Sequence, residues 1–261
     1  MISLINSFLE SNKFDKLNSF IAKKIFKIFK IFFVKSNFKE LPEQNYSINI
    51  EYLKSELSNG INFKKIKPYI TYSHLIDLIS VIKKDQINFF DYGAGNLNLF
   101  YYLSYKFKKM NYYFFDQPAV IETLRDFKNE NKLDNLIIDP NLKENKFDLV
   151  YFGSSLQYLK DYKQDILRFK TNTEYLLISQ CPFFKNKDLN TEFVILKQIN
   201  MHPNINYLYA FNYYYFIDFM KENNFILVEE SFNRITKFLN FKNFKKEYKH
   251  IDMYDLFFKK I

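Results

Sequence analysis

A chain of 261 residues with 48% hydrophobic and 20% aromatic residues has the material for one large core, which excludes a disordered or fibrous protein. Its single cysteine, Cys181, excludes an internal disulfide and a cysteine-built zinc site, and the histidines at 74, 202 and 250 have no ligand spacing, so no metal is expected and the reducing cytoplasm is the expected location. The formal net charge of +9 accompanies a joint excess of Lys, Asn, Ile, Phe and Tyr that looks like A+T-rich coding, and no nucleic-acid-binding motif goes with it, so no nucleic-acid partner is expected.

Taken in order, residues 1–45 read as a basic helical extension. Ile21, Ile25, Ile28, Phe29 and Phe32 recur at helical spacing, and Lys23, Lys24, Lys27 and Lys30 fill the positions between them. No uncharged run in this segment is longer than nine residues (1–9), too short to span a bilayer, and no signal-peptide core is visible. A basic amphipathic helix over 17–35 is of the kind that rests in a membrane interface, here the inner face; the competing reading packs its apolar side on the domain and leaves the lysines solvated.

Residues 46–261 read as one domain. A helix is predicted over 71–82, capped by Thr71 or Ser73, with Tyr72 and His74 near its start. Strands are predicted at 87–91, 112–116, 135–138, 148–152, 174–179 and 225–230, and helices at 96–108, 118–131, 155–170, 189–200 and 212–223. Residues 237–261 are expected to add an edge strand and a helix. This alternation predicts an α/β fold with a doubly wound, mostly parallel, seven-stranded sheet behind the amino-terminal helical extension.

The chain has only four glycines, where average usage would give roughly 18, and Gly93 and Gly95 stand two apart directly after the apolar run that ends in Asp91. Strand, acid, Gly-x-Gly and an apolar helix form the opening of a nucleotide-binding unit, in which glycine permits positive φ or a close backbone approach. Further unusual residues fall at predicted strand ends, where ligands bind in open α/β sheets: Asp116, Asp139 and Gly153. Asp116 is placed to accept hydrogen bonds from two ribose hydroxyls; it can also cap the helix begun by Gln117-Pro118. A dinucleotide loop wants a third glycine where Asn98 stands, so the NAD fingerprint is incomplete.

With these motifs in place, the sequence resembles class I S-adenosylmethionine-dependent methyltransferases. Asp-Tyr-Gly-Ala-Gly (91–95) matches their first motif, Phe-Phe-Asp116 the acidic end of the second strand, and Phe-Asp-Leu-Val-Tyr-Phe-Gly-Ser-Ser-Leu-Gln-Tyr-Leu (147–159) the fourth-strand motif. More narrowly, Asp116-Gln117-Pro118 and Ser155-Leu156-Gln157-Tyr158-Leu159 are similar to a methyltransferase family encoded in surface-polysaccharide gene clusters, over roughly residues 65–235. The full first motif has a third glycine near Leu97, and this chain lacks it.

The resemblance implies S-adenosylmethionine as cofactor. Its methionine end would lie over Gly93 and Gly95, its ribose on Asp116 and its adenine amine beside Asp139. Gly153 would border the sulfonium, and Asp91 would close the strand below. Phe114, Ile138 and Leu156 are candidates for the adenine slot or for ordinary core. His202 is the candidate general base, with His74 the alternative; each also reads as an ordinary histidine. The implied acceptor is a small molecule or glycan: a hydroxyl of a sugar, sugar nucleotide or lipid-linked glycan. An NAD-dependent sugar-modifying enzyme is opposed by the incomplete glycine fingerprint and by the lack of a lysine four residues after Tyr158; a non-catalytic module at a membrane or complex is the third reading.

Overall fold

The computed structural model describes residues 7–29, 31–43, 50–60, 70–200, 204–232, 244 and 251–261. Ile-Asn-Phe-Phe-Asp-Tyr forms β2 (Ile87–Tyr92), in which every residue but the half-buried Asn88 is buried, as expected for the centre of a parallel sheet. Phe89, Phe90 and Asp91 of β2 align in parallel with Tyr112, Tyr113 and Phe114 of β3 (Met110–Phe115) and with Leu149, Val150 and Tyr151 of β5 (Phe147–Gly153). β4 (Leu136–Ile138) lies outside β3, and β6 (Thr173–Phe184) beside β5. The chain therefore leaves β2 toward β3 and β4, then returns to the other side for β5 and β6. The crevice at the carboxyl ends of β2 and β5 is the topological switch point.

Helices cover both faces. α2 (Ile50–Gly60), α3 (Ile70–Val81), α4 (Asn98–Lys106) and α5 (Pro118–Asn131) lie on one side, where Leu57, Ile79, Leu103 and Leu124 pack against Phe89, Tyr112 and Leu149. α6 (Tyr162–Leu167) and α7 (Tyr213–Glu222) lie on the other, where Ile166, Phe216 and Met220 pack against Phe90, Val150 and Ile178. α5 begins at Pro118, whose missing N–H leaves no helical bond unmade at the first position, and ends at Lys132 in a left-handed cap.

Three sequence expectations are corrected. The predicted helix at 189–200 is β7 (Phe193–Gln198), paired antiparallel with β8 (Asn206–Asn212). Phe193, Val194 and Ile195 are strand formers, and a short apolar run has no reliable period of its own. The predicted helix at 155–170 divides into a 3-10 turn, Leu156–Tyr158, and α6, because Leu159 takes an extended conformation between them. The tail does not end at the sheet edge: β10 (Ile251–Lys260) lies antiparallel between β6 and β9 (Phe225–Phe232). Met253, Tyr254, Leu256, Phe257 and Phe258 are all buried, so this segment carries apolar residues for both faces, as only an interior strand does. The expected seven strands are thus present in the order β4-β3-β2-β5-β6-β10-β9. β8 extends the described sheet to ten strands by pairing with Phe183 and Phe184 at the far end of β6, carrying with it β7 and β1 (Phe33–Lys35).

The amino-terminal segment is joined to this added ribbon. Its β1 pairs with β7, and α1 (Ser19–Phe29) packs through Ala22 and Ile25 onto a cluster with Leu9, Phe14, Val34 and Ile199. Ala22 is buried there, whereas Ile21 and Ile28 are exposed and do not share the inward side with Ile25. Lys197 of β7 is 2% exposed; its ammonium pairs with Asp15 at 2.5 Å and donates to the carbonyl of Leu9 at 3.2 Å. Removing one partner of a buried charged pair leaves the other unpaired. Lys197→Ala is therefore expected to lower stability by about 2–3 kcal/mol and to make residues 7–29 the first site of tryptic cleavage, read by limited proteolysis with mass spectrometry.

Candidate functional site

β2 runs into the loop Gly93-Ala94-Gly95-Asn96-Leu97 before α4. Gly93 N–H donates to the carbonyl of Phe115 at 2.8 Å, holding the loop against β3. Gly93 and Gly95 have φ of +72° and +70°, the left-handed region that glycine enters without penalty. A Cβ at Gly93 would stand 2.7 Å from Cβ of Ser155, so this loop rests directly on the turn after β5. A Cβ at Gly95 would have no atom within 4 Å, so the loop is open on that side. Asn96 Oδ1 accepts from Asn98 N at 2.9 Å and turns the chain into the helix. Leu97, where the full motif has its third glycine, has φ −96° and a buried side chain in the core; glycine is not required there.

Asp116 reaches across from the end of β3. Its Oδ2 accepts from Gly95 N at 2.7 Å and its Oδ1 from Gln117 N at 2.7 Å. The carboxylate thereby ties the glycine loop to the start of α5, and each oxygen retains a lone pair for a further donor. Burial raises its carboxyl above the ordinary value, opposed by the two N–H donors. Asp91 lies beneath the loop, 3% exposed, and accepts a hydrogen bond from the Tyr112 hydroxyl. Burial pushes its carboxyl up to about 7; the Tyr112 hydrogen bond opposes that rise and the charge of Asp116 adds to it.

The opposite wall is the turn after β5. Ser155 Oγ donates to the carbonyl of Tyr92 at 2.6 Å, and the Tyr92 hydroxyl donates to Asp165 at 2.8 Å, fixing the strand end from both faces. Buried Gln157 donates through Nε2 to Ser154 Oγ at 3.1 Å and to the carbonyl of Gln180 at 3.2 Å. Ser154 and Gln180 have φ of +60° and +55°, and Asp139 after β4 has +53°. Strained backbone of this kind persists where surrounding contacts impose it and gathers at functional sites. The two walls enclose a cleft of about 350 Å³, lined by Gly93, Asp116, Gln117, Ser154, Tyr158 and Leu159 among others.

The structure thus brings Gly93 and Asp116 to the cleft, with Gly95 bonded to Asp116 and Asp91 underneath. Asp139 does not line the cleft, and its half-exposed carboxylate pairs with Arg125 of α5 at 2.8 Å. The space above Gly153 belongs to Tyr151, whose ring carbon would be 2.4 Å from a Cβ there. Phe114 and Leu156 are fully buried core, on opposite faces of the sheet. His202 lies outside the described residues. His74, on α3, has Nε2 3.3 Å from Ser231 Oγ and 3.5 Å from Glu229. Cys181 is buried, and burial pushes its thiol well above the ordinary value, which suits a core residue. Ser155 and Tyr158 stand in the 147–159 motif, but the sequence assigns neither a role at the site; their roles depend on which loop faces them.

No protein-family model matches the chain, and no curated protein matches it in sequence. Among solved structures it is similar to an S-adenosylmethionine-dependent methyltransferase from Clostridium acetobutylicum, with a TM-score of 0.52, 11% identity, and coverage of 81% of this chain and 99% of that one. It is also similar to the N-terminal domain of EvdMO1 with SAH bound, with a TM-score of 0.52, 6% identity, and coverage of 74% of this chain and 82% of that one. The same domain in the presence of SAH and D-fucose matches at a TM-score of 0.52 and 6% identity, over 75% of this chain and 85% of that one. The chain has the fold of class I S-adenosylmethionine-dependent methyltransferases.

Proposed function

We propose that this protein is an S-adenosylmethionine-dependent methyltransferase acting on a hydroxyl of a sugar, sugar nucleotide or lipid-linked glycan. The observation that carries the reading is the bridge from Gly95 N–H to the Asp116 carboxylate at 2.7 Å across the carboxyl ends of β2 and β3. It sets an acid with free lone pairs beside a glycine loop whose open side has no atom within 4 Å of a Cβ at Gly95. Those residues fit the cofactor: Asp116 would accept from the ribose hydroxyls, and the Gly93–Gly95 backbone at the entrance to α4 would receive the methionine end, with the Asp91 charge beneath the loop. The bound cofactor supplies an activated methyl group on a sulfonium.

The chain's own task is then positional. It holds the acceptor oxygen in line and about 3–3.5 Å from the methyl carbon, and excludes water from that approach. A hydroxyl acceptor also gives up a proton; His202 is the base in this reading. The sugar class rests on the resemblance of the 116–118 and 155–159 motifs, and a cytoplasmic location goes with it.

The test is calorimetric titration of the full chain with S-adenosylmethionine and, separately, NAD, repeated on Asp116→Ala. Micromolar binding of S-adenosylmethionine alone is expected, weakened at least about 30-fold by the substitution, since each ribose hydrogen bond to a charged acceptor contributes about 1.5–3 kcal/mol. Binding of NAD instead, or S-adenosylmethionine affinity unchanged in the variant, overturns the reading.

A further inference from the structure

We propose that the outward face of α1 docks this protein on an anionic lipid bilayer. The surface is defined by what the helix does not bury. Ala22 and Ile25 turn inward, while Phe20 is 65% exposed, Ile21 48% and Ile28 71%. At 100° per residue, positions 20, 21, 24 and 28 occupy an arc of about 100°, so the three large apolar side chains form one stripe. Lys24 stands within it, its ammonium 4.5 Å from the centroid of the Phe20 ring. A helix that presents phenylalanine and isoleucine to water on its far side has no packing reason to do so.

Charge selects the occupant. From Lys16 to Lys39 the chain contains seven lysines and no acidic residue. Exposed apolar side chains on a segment this rich in lysine match the two layers of an anionic membrane surface, acyl boundary and headgroup phosphate. A second copy of the chain matches poorly. The exposed parts of the three side chains sum to on the order of 350 Å², below the roughly 800 Å² per partner of a standard protein interface, and the lysines would meet lysines. Among the described residues no helix is long and apolar enough to cross a membrane, so the contact is peripheral.

The buried side of α1 shares a cluster with the residue that follows a partner of the cleft wall. Tyr158 lines the cleft and donates its hydroxyl to Gln198 at 3.0 Å; the next residue, Ile199, packs in the same cluster as Ala22. The docking itself does not depend on the methyltransferase reading.

Cosedimentation of the full chain with vesicles of phosphatidylglycerol and phosphatidylcholine tests it, with no cofactor present. Binding to the anionic vesicles is expected, absent with phosphatidylcholine alone and falling as salt is raised. The double substitution Phe20→Ser with Ile28→Ser is expected to reduce it by about tenfold or more at an unchanged melting temperature, since both side chains are exposed. No binding by the parent, undiminished binding by the double variant, or a concentration-dependent dimer in light scattering that the variant dissociates would each overturn the proposal. Calorimetry with S-adenosylmethionine reports on the cofactor site independently.

Discussion

Gly93→Ala is expected to destabilise the protein by about 3–4 kcal/mol, while Gly95→Ala costs about 1–2 kcal/mol. Both glycines have φ near +70°, so both substitutions carry the same left-handed backbone penalty of about 1–2 kcal/mol. They differ in what the new methyl group meets. At Gly93 it would stand 2.7 Å from Ser155 Cβ and 3.3 Å from Ser155 Oγ, and Ser155 cannot retreat without breaking its 2.6 Å bond to the Tyr92 carbonyl. At Gly95 it meets nothing within 4 Å. Crowding against a fixed neighbour adds roughly 1–3 kcal/mol. Urea unfolding of the two variants, followed by circular dichroism, separates the contributions; equal losses would show that Ser155 is free to move. S-adenosylmethionine titration should rank the variants the other way round on the cofactor side. The Gly95 methyl projects into the open side of the loop and weakens binding even though the fold is hardly disturbed.

The central strands and the glycine loop were legible in the sequence because their signals are local. Ile87, Phe89 and Phe90 make a short apolar run ending in an acid, the α5 start follows from Pro118, and Gly-x-Gly needs only its own backbone to be informative. What could not be read was decided by partners distant in sequence. Phe193 to Gln198 becomes a strand because β8 and β1 pair with it, and β1 lies more than 150 residues earlier. Ile251 to Lys260 becomes interior because β6 and β9 flank it. The site divided in the same way. Asp116 is legible from its position at the end of a predicted strand. The neighbours that occupy Asp139 and Gly153, namely Arg125 and the ring of Tyr151, depend on side-chain directions that spacing does not reveal. Ser155 becomes important only through its contact with Gly93, a loop 62 residues earlier.

The second large effect concerns Asp91. Asp91→Asn is expected to make the protein more stable at pH 8 while impairing cofactor binding. The carboxyl ionises near the ordinary 3.8 in the unfolded chain and near 7 in the folded one, chiefly because burial disfavours the charge. The folded state therefore holds the proton more tightly. Stability is greatest below about pH 4 and declines as pH rises toward 7, and above that the folded protein carries the full penalty of a buried charge. A gap of about three pH units corresponds to roughly 4 kcal/mol at most. Asparagine is nearly isosteric, its Oδ1 can still accept from the Tyr112 hydroxyl, and it has no charge to desolvate. After allowing about 1 kcal/mol for the weaker neutral hydrogen bond, the variant should gain about 2–3 kcal/mol over the parent at pH 8 and little or nothing at pH 4. Thermal unfolding at a series of pH values measures this directly; parallel profiles for parent and variant would place the titration elsewhere. In the methyltransferase reading, the carboxylate under the glycine loop would offset the charge of the cofactor's amine. Stability gained and S-adenosylmethionine affinity lost in the same variant would tie the buried charge to cofactor binding; stability gained with affinity unchanged would assign Asp91 to the architecture of the loop alone.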